Sequence, residues 1–351
     1  MKWEENVRKV TPYTPGEQPQ KAGIIKLNTN ENPYPPAPGV AEAVAALDVE
    51  KLRLYPAFPE KTALAEELAA YYHIGTDQIF IGVGSDDVLS MAFMTFFDSD
   101  KPIFFPDITY SFYDVWADVY RIPYERKALD ADFQICTADY KQPNGGVVFP
   151  NPNAPTGVRM PLEQVEEIVA ANRDVVVIVD EAYIDFGGTS ALPLIDKYDN
   201  LLVVQTFSKS RNLAGMRIGF ACGQPKLIRY LNDVKYSVNS YTMNTAALEI
   251  GVAAVRDEAY FKACCQKIMD TRAVAEERLS KLGFVFQKSS ANFIFASHKT
   301  VPAREIFERL KENDIYVRWW NKARIDNYLR ITIGTDEQME TLYRALGKIC
   351  G

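Results

Sequence analysis

Two apolar stretches, VVVIVDEAY at residues 175–183 and LLVVQTFSKSR at 201–211, decide the fold, and each ends in polar, reactive residues. Neither stretch alternates polar with apolar residues, which is typical of strands covered on both faces. Similar short runs occur at 103–105 and 147–149, and an amphipathic segment at 162–169 lies between two of the runs. Because strands alternate with helical segments, the sequence predicts an α/β fold with a mainly parallel sheet.

The composition changes on both sides of this layer. The first residues contain TPYTP at 11–15 and NENPYPPAP at 30–38, which hold too much proline for a helix. From about residue 245 the helical patterns become longer, with two short strand-like runs between them. We therefore predict an N-terminal arm at 1–45 that packs with the small domain, a large α/β domain at 46–244 and a small α+β domain at 245–351.

The charge balance and the reactive residue types exclude several classes of protein. The 351-residue chain has 46 acidic and 39 basic residues, and the basic ones are spread out, so we expect no nucleic-acid surface. The chain has only two histidines, His73 and His298, which disfavours a histidine-based hydrolytic triad and a metal site with several histidines. The five cysteines lack metal-finger spacing and indicate reduced thiols. No run resembles a signal peptide or a membrane span, which predicts a cytoplasmic protein.

Ligands of an α/β sheet bind beyond the carboxyl ends of its strands, so the residues after each apolar run are the candidates. The turn GSDD at 84–87 could bind an anion through backbone N–H groups, although taken alone it is more simply a Ser helix cap. Asp180 ends a wholly apolar strand and, if buried, needs a cation or several donors. Lys209 follows the next strand and Arg217 comes shortly after, although a loop lysine is usually only solvated. Together these residues fit an organic cofactor that carries a phosphate, a carbonyl and a ring nitrogen, as pyridoxal phosphate does.

Three segments resemble the signatures of fold-type I pyridoxal-phosphate aminotransferases, namely DEAY at 180–183, TFSK at 206–209 and GMRIG at 215–219. Further segments, in order along nearly the whole chain, resemble the histidinol-phosphate aminotransferase family: TPY at 11–13, NENP at 30–33, LYP at 54–56, GSD at 84–86, TY at 109–110 and LRITIG at 329–334. The resemblance implies a large α/β domain, a smaller α+β domain and pyridoxal 5'-phosphate as cofactor. It also implies transamination of L-histidinol phosphate with 2-oxoglutarate, giving imidazole acetol phosphate and L-glutamate in histidine biosynthesis.

The resemblance implies three catalytic residues. Lys209 would bond to the cofactor aldehyde, which requires a neutral amine, and would then move the proton at the substrate Cα. Asp180 would face the pyridine nitrogen and keep it protonated, because an adjacent carboxylate favours the charged ring. Tyr183 would donate to the 3' oxygen of the cofactor.

Other residues are implied as binding residues. At the cofactor they are Ser85, Asp86, Ser208 and Arg217 around the phosphate, Tyr110 on the ring, and Tyr55, which would reach the site of the neighbouring subunit in a homodimer. At the substrate they are Tyr13, Arg318 and Arg330, with Arg324 adding positive charge nearby in sequence.

One position departs from the family. The family has an Asn directly before Pro-Thr-Gly, where this chain has Ala154. Either Asn153 supplies the missing contact to the 3' oxygen or Tyr183 acts alone.

Two rival activities stay open at this point. An aromatic amino acid aminotransferase needs a similar aromatic-lined pocket, and a threonine-phosphate decarboxylase shares the scaffold but would release carbon dioxide. A regulator that binds the cofactor without turnover is disfavoured by the acidic balance of the chain.

Overall fold

A computed structural model describes residues 2–351 of the chain. Its strands are β1 (Ile25–Lys26), β2 (Ile79–Gly82), β3 (Ile103–Pro106), β4 (Tyr124–Lys127), β5 (Gly146–Pro150), β6 (Val177–Asp180), β7 (Leu201–Thr206), β8 (Gly219–Gly223), β9 (Phe284–Phe286), β10 (Phe293–His298), β11 (Ile315–Tyr316), β12 (Arg318–Trp319) and β13 (Leu329–Thr332). Its α-helices are α1 (Pro38–Ala45), α2 (Ala63–Tyr72), α3 (Ser85–Phe96), α4 (Phe112–Tyr120), α5 (Leu162–Ala171), α6 (Pro225–Val238), α7 (Thr245–Arg256), α8 (Glu258–Lys281), α9 (Ala303–Glu312) and α10 (Asp336–Cys350).

Seven strands form the central sheet, in the order β2-β8-β7-β6-β5-β3-β4. The strands β4, β3, β5, β6 and β7 run parallel, and β8 runs antiparallel to both of its neighbours. Every residue of β5, β6 and β7 is buried, as expected for strands that consist mainly of apolar residues. The predicted α/β fold with a mainly parallel sheet is confirmed.

The register of the sheet brings the candidate residues to one edge. Asp180 is paired with Pro150 on one side and with Val204 on the other, so the segments that follow β5, β6 and β7 leave the sheet side by side. On β8, Gly219 is paired with both Gly82 and Thr206. The turn before α3 therefore lies at the same edge, because β8 begins where β2 and β7 end.

Helices cover both faces of this sheet. On one face, apolar residues of α2, α5 and α7 form a cluster with the sheet, including Leu64, Val165 and Ile250. On the other face, α3, α4 and α6 contribute residues such as Phe93 and Leu231. Each side chain of this size that is fully buried contributes about 1.5–3 kcal/mol, so the two clusters hold the edge of the sheet rigidly in place.

A second, smaller layer contains the antiparallel sheet β12-β13-β10-β9 packed against α8, α9 and α10. The N-terminal segment joins it, because β1 pairs in parallel with β11 and Thr332 donates a backbone hydrogen bond to Leu27. By contrast, α7 packs with α1 and α2 in the core of the large layer. The domain limits 1–45, 46–244 and 245–351 stay a prediction, and the packing of α7 favours a boundary after Arg256.

No helix within residues 2–351 is both long enough and apolar enough to cross a membrane.

Candidate active site

A cavity of about 300 Å³ opens where the carboxyl edge of the large sheet, the small layer and the N-terminal segment meet. This volume is at the lower end of the usual range for small-molecule sites. Eleven of the residues proposed from the sequence line it: Tyr13, Ser85, Asp86, Tyr110, Asp180, Tyr183, Ser208, Lys209, Arg217, Arg318 and Arg330. Among the described residues, Tyr55 and Asn153 were proposed but do not line it.

Lys209 lies just beyond β7 with its amine in the cavity. Its Nζ donates to the backbone carbonyl of Thr29 at 3.1 Å and lies 5.9 Å from the centre of the Tyr183 ring. Within residues 2–351 no carboxylate comes within ion-pair distance of this amine. Burial lowers the pKa of Lys209 to about 8, and the positive charge of Arg330 acts in the same direction. A substantial fraction of the amine is therefore neutral near pH 8 and able to act as a nucleophile or base.

Asp180 ends β6 and is 5% exposed. Its Oδ2 accepts from the Tyr113 hydroxyl at 3.0 Å, and its Oδ1 accepts from the backbone N–H of Ala182 at 3.2 Å. Burial raises the pKa of Asp180 to about 6, and these two hydrogen bonds oppose the rise. A cationic N–H group in the cavity would stabilise the carboxylate further.

Tyr183 follows Asp180 by three residues and receives a hydrogen bond from the N-terminal segment. Asn30 Nδ2 donates to the Tyr183 hydroxyl oxygen at 2.9 Å. Asn30 is itself buried at φ 57°, and its backbone N–H donates to Thr332 Oγ1. Since the oxygen of Tyr183 already accepts from Asn30, its own proton is free to be donated into the cavity.

One end of the cavity is suited to a dianion. Helix α3 begins there at Ser85, after Gly84 at φ 82°, and its free N–H groups carry the positive end of the helix dipole. Arg217 Nη1 lies 3.5 Å from Ser208 Oγ, and its Nη2 lies 3.6 Å from Asp86 Oδ2. The Asp86 carboxylate also accepts from the Tyr110 hydroxyl, so this acid orients an arginine and a tyrosine.

The opposite end holds two further arginines. Arg330, on β13, donates through Nη2 to the carbonyl of Asn28 at 2.9 Å, whereas its Nε is buried without a partner among the described residues. Arg318, on β12, donates to the carbonyls of Thr14 and Pro15 in the N-terminal segment. Both guanidinium groups lie within 5.3 Å of the centre of the Trp320 ring. Two cations with no carboxylate partner in the described chain make this end ready for an anionic group of a substrate.

Tyr13 closes this end of the cavity from the N-terminal segment. Its ring stacks on Phe112 with 4.2 Å between centres and lies 6.3 Å from Tyr110. Arg324 does not line the cavity; it pairs with Asp107 at 2.7 Å and donates to the carbonyl of Leu129.

Asn153 lies behind the wall of the cavity. Its Nδ2 donates to the carbonyl of Ile108 and to Thr156 Oγ1, each at 3.0 Å, while its Oδ1 accepts from Thr109 Oγ1. Ala154 is the residue that lines the cavity at this place. A contact of Asn153 with a cofactor stays a prediction, and this arrangement favours the alternative in which Tyr183 acts alone.

Tyr55 lies on the outer surface, 80% exposed. Its ring stacks on Tyr241 with 4.4 Å between centres, and Phe58 packs beside that pair. The position of Tyr55 within one chain therefore leaves its predicted role in a neighbouring subunit untested.

Three contributors to the site did not emerge from the sequence as site residues: the carbonyl of Thr29, the amide of Asn30 and the hydroxyl of Tyr113. Asn30 belongs to the NENP segment that carried part of the resemblance, so a signal existed for it. Tyr113 stands on the buried face of α4, where an aromatic residue indicates only core packing. A backbone carbonyl has no sequence signal at all.

The residues around the cavity fit a flat cofactor with three features. The N-terminus of α3, together with Ser208 and Arg217, is suited to bind a phosphate. The amine of Lys209, which is partly unprotonated near pH 8, can react with a carbonyl. Asp180 can accept a hydrogen bond from a protonated ring nitrogen. The unpartnered Nε of Arg330 shows that part of the hydrogen-bonding capacity at the other end awaits a ligand.

Comparison with known proteins agrees with this geometry. Residues 22–346 match the family model of aminotransferase class I and II. The histidinol-phosphate aminotransferase of Lactococcus lactis subsp. cremoris (strain MG1363) is 50% identical over 346 residues, covering 99% of this chain and 97% of that protein. Histidinol-phosphate aminotransferase 1 of Hydrogenovibrio crunogenus is 52% identical over 347 residues, with the same coverage.

Solved structures show the same fold at lower sequence identity. The histidinol-phosphate aminotransferase from Sinorhizobium meliloti in complex with pyridoxal-5'-phosphate aligns with a TM-score of 0.85 and 24% identity, covering 93% of this chain and 91% of that one. The fold is therefore that of fold-type I pyridoxal-phosphate enzymes. By its family match and its relatives of about 50% identity, this chain is an enzyme that belongs to the class I and II aminotransferases.

Proposed function

We propose that this enzyme transfers the amino group of L-histidinol phosphate to 2-oxoglutarate, giving imidazole acetol phosphate and L-glutamate in histidine biosynthesis, with pyridoxal 5'-phosphate as its cofactor. The names of relatives that match nearly the full length at about 50% identity support the substrate. The observation that carries the proposal is one cavity with Lys209 and Asp180 in its wall, an anion site at Arg217 and a second cationic end at Arg330. The cofactor and the substrate each carry a phosphate, so the cavity has to bind an anion at both of its ends.

Pyridoxal phosphate supplies an aldehyde that takes up the amino group and a ring that withdraws electrons from the bonds broken at Cα. The free N–H groups of α3, Ser208 and Arg217 bind its phosphate and fix its position. Lys209 removes the proton from the substrate Cα and returns it on the other side of the reaction, for which a pKa of about 8 is suitable near neutral pH.

Asp180, in the wall of the cavity, would keep the ring nitrogen protonated, since a neighbouring carboxylate favours the charged form of that nitrogen. Tyr183 donates its free proton to the 3' oxygen while Asn30 holds the phenol in place. Asp180 and Tyr183 would therefore hold protons at two different atoms of the cofactor.

The second cationic end binds the anionic groups of the substrates. Arg330 presents a planar fork suited to two oxygens of a carboxylate or phosphate, and Arg318 and Tyr13 add a cation and a hydroxyl beside it. One end of this kind can accept histidinol phosphate and then glutamate or 2-oxoglutarate, because all of them carry an anion away from the reacting carbon. Both half-reactions then share a single site.

We infer further that the enzyme is a homodimer of the cytoplasm. Tyr55 stacks on Tyr241, which also packs with Phe58, and all three are exposed. The segment just before Tyr55 also exposes Val49, Leu52 and Leu54, and exposed apolar side chains of this kind are typical of a subunit interface. Pairing of two copies through this surface would carry Tyr55 towards the partner's cavity. The cytoplasm is the expected compartment for an enzyme of amino-acid biosynthesis, and all five cysteines are free thiols.

Two measurements test the proposed function. After loading with pyridoxal phosphate and reduction with borohydride, peptide mapping should find the pyridoxyl label on Lys209, and a label on another lysine would refute the assigned role. Turnover of histidinol phosphate, phenylalanine and threonine phosphate is then compared in the presence of 2-oxoglutarate. We expect glutamate formation mainly with histidinol phosphate. Preferred turnover of phenylalanine, or carbon dioxide release without glutamate, would replace the substrate or the reaction.

A further inference from the structure

Tyr113 makes a hydrogen bond that the predicted catalytic set does not contain. Its hydroxyl donates to Asp180 Oδ2 at 3.0 Å, and both side chains are buried. The Tyr113 ring is fixed by aromatic neighbours on α3, on β3 and in the loop after β3, with ring centres 5.9 Å away at Phe93, 5.9 Å at Phe105 and 5.8 Å at Tyr110. The donor is therefore held rigidly by the core of the large layer.

The surroundings of Asp180 make this donor important. In the described chain Tyr113 is the only side chain that hydrogen bonds to the carboxylate, and the other donor is the backbone N–H of Ala182. The charged groups that act on it from other elements are Asp86, which disfavours its ionisation, and Lys209, which favours it. Burial disfavours the ionised form most, so the two hydrogen bonds have to offset that cost.

We propose that Tyr113 is a positioning residue that holds Asp180 ionised and aimed at the ring nitrogen of the cofactor. The inference rests on the proposed function, because it assumes that pyridoxal phosphate binds with its nitrogen at Asp180. Tyr113 does not line the cavity and would touch neither substrate nor cofactor.

The phenol suits this task because it keeps the proton that it donates to Asp180. Burial raises the pKa of Tyr113 well above its ordinary value, and the negative charge of Asp180 raises it further, so the hydroxyl stays protonated at every working pH. A permanent donor to one carboxylate oxygen favours the ionised form. It also fixes the plane of the carboxylate, which leaves the remaining lone pairs pointing into the cavity.

The test uses Tyr113→Phe, which removes the hydroxyl and keeps the ring in its aromatic surroundings. Tyr140→Phe is the matched control, since Tyr140 is a tyrosine of the same layer, 1% exposed, whose hydroxyl has no partner in the described structure. The affinity of each apoenzyme is measured from pH 5 to 9 for pyridoxal phosphate and for its carbocyclic analogue, in which carbon replaces the ring nitrogen. Unchanged thermal midpoints check that both variants fold.

Affinity for pyridoxal phosphate should fall as the pH drops through the pKa of Asp180. In Tyr113→Phe we expect this fall to occur about one pH unit higher, because the loss of a hydrogen bond to the carboxylate raises that pKa by about one unit. Its affinity should therefore be about 10-fold lower than that of the parent at pH 5 and about two-fold lower at pH 7, while Tyr140→Phe behaves as the parent. With the carbocyclic analogue, Tyr113→Phe and the parent should bind alike, because that ring offers Asp180 no N–H.

Three results would overturn the inference. An unchanged pH profile would show that Tyr113 does not act on Asp180, and equal loss of affinity for both ligands would show a merely structural role. If Tyr113→Phe weakened binding as much in an Asp180→Asn background as in the parent, the two residues would not be coupled. Failure of the parent enzyme to bind pyridoxal phosphate at Lys209 would instead remove the proposed function, so the two failures are distinguishable.

Discussion

Asp180 and Glu181 are adjacent at the end of β6, yet they lie in different surroundings. Glu181 points away from the cavity and accepts from Ser190 Oγ and the Ala191 N–H, each at 2.6 Å, and from Gln205 Nε2 at 2.9 Å. Burial raises its pKa to about 7. Asp180 has only two donors and faces the cavity. A raised pKa therefore occurs on both sides of the strand end, and only the cavity side has hydrogen-bonding capacity left for a ligand.

The same contrast between cavity and core distinguishes two lysines, Lys209 and Lys235. Lys209 opens into the cavity, whereas Lys235 is buried on α6 with its Nζ over the rings of Phe80 and Tyr236. Burial lowers the pKa of both amines. Desolvation alone thus does not identify a reactive group; the decisive property is the space in front of it.

The largest expected effect comes from Lys209→Ala compared with Lys235→Met. Removal of the amine that moves the Cα proton should lower kcat on the order of 10⁴-fold, at the upper end for general acid–base catalysis. Lys235→Met should retain activity within a small factor, because a flexible apolar chain fills the same place. Steady-state glutamate formation measures both, and equal losses in the two variants would remove the distinction between cavity and core.

Next in size is the pair Asp180→Asn and Glu181→Gln. The neutral amide at 180 no longer keeps the ring nitrogen protonated, and we expect kcat to fall about 10²–10³-fold, as for the loss of one charge-stabilising group in an active site. Glu181→Gln leaves the cavity wall unchanged and should stay close to the parent. A larger loss for Glu181→Gln than for Asp180→Asn would reverse our assignment of the two acids.

A smaller effect is expected for Arg330→Leu. Loss of a charged hydrogen bond to the substrate anion should raise KM about 10- to 100-fold. Because the charge of Arg330 also lowers the pKa of Lys209, its removal raises that pKa, and the alkaline rise of kcat should move to higher pH. Arg324→Ala serves as the control, since Arg324 bonds outside the cavity; a pH profile shifted equally by both would mean that Lys209 does not sense Arg330 in particular.

The smallest effect concerns stability. Unfolded glutamate loses its proton near pH 4.5 and Glu181 in the folded chain near pH 7, so the folded state binds more protons between these values. The free energy of unfolding of the parent must therefore fall as pH rises through that window, whereas Gln does not titrate. Urea unfolding should show that the free energy of unfolding of the parent, relative to that of Glu181→Gln, falls by about 2 kcal/mol from pH 5 to pH 7.5. A difference that is constant with pH would place Glu181 in an ionised state throughout.

Much of the fold could be predicted because its cause is local. The strands β5, β6 and β7 each contain an unbroken apolar run, and their order at one edge follows from the parallel arrangement. Strand β8 was not predicted from the sequence, because its segment GFACG has a glycine at both ends. Position 219 has to be glycine because a Cβ there would collide with the backbone at Gly84 and Ser85. These residues are distant in sequence, so no local pattern predicts this constraint.

The candidate site likewise contains residues that the sequence predicted and residues that it did not. Residues that follow the strand ends, such as Lys209 and Asp180, were predicted because topology brings strand ends together. Thr29 and Tyr113 were not, because the first acts through its backbone and the second from a buried helix face. Asn153 was predicted from a shifted motif, but its side chain holds the loop together behind the wall.

The pairing of the N-terminal segment with the small layer has a consequence for biosynthesis of the chain. Asn28 and Asn30 hydrogen bond to Arg330 and Thr332, which follow them in the chain by 302 residues. These contacts can form only after the ribosome has released residue 332. Until then the segment at 28–30 lacks these partners, so this wall of the cavity is completed late in the folding of the chain.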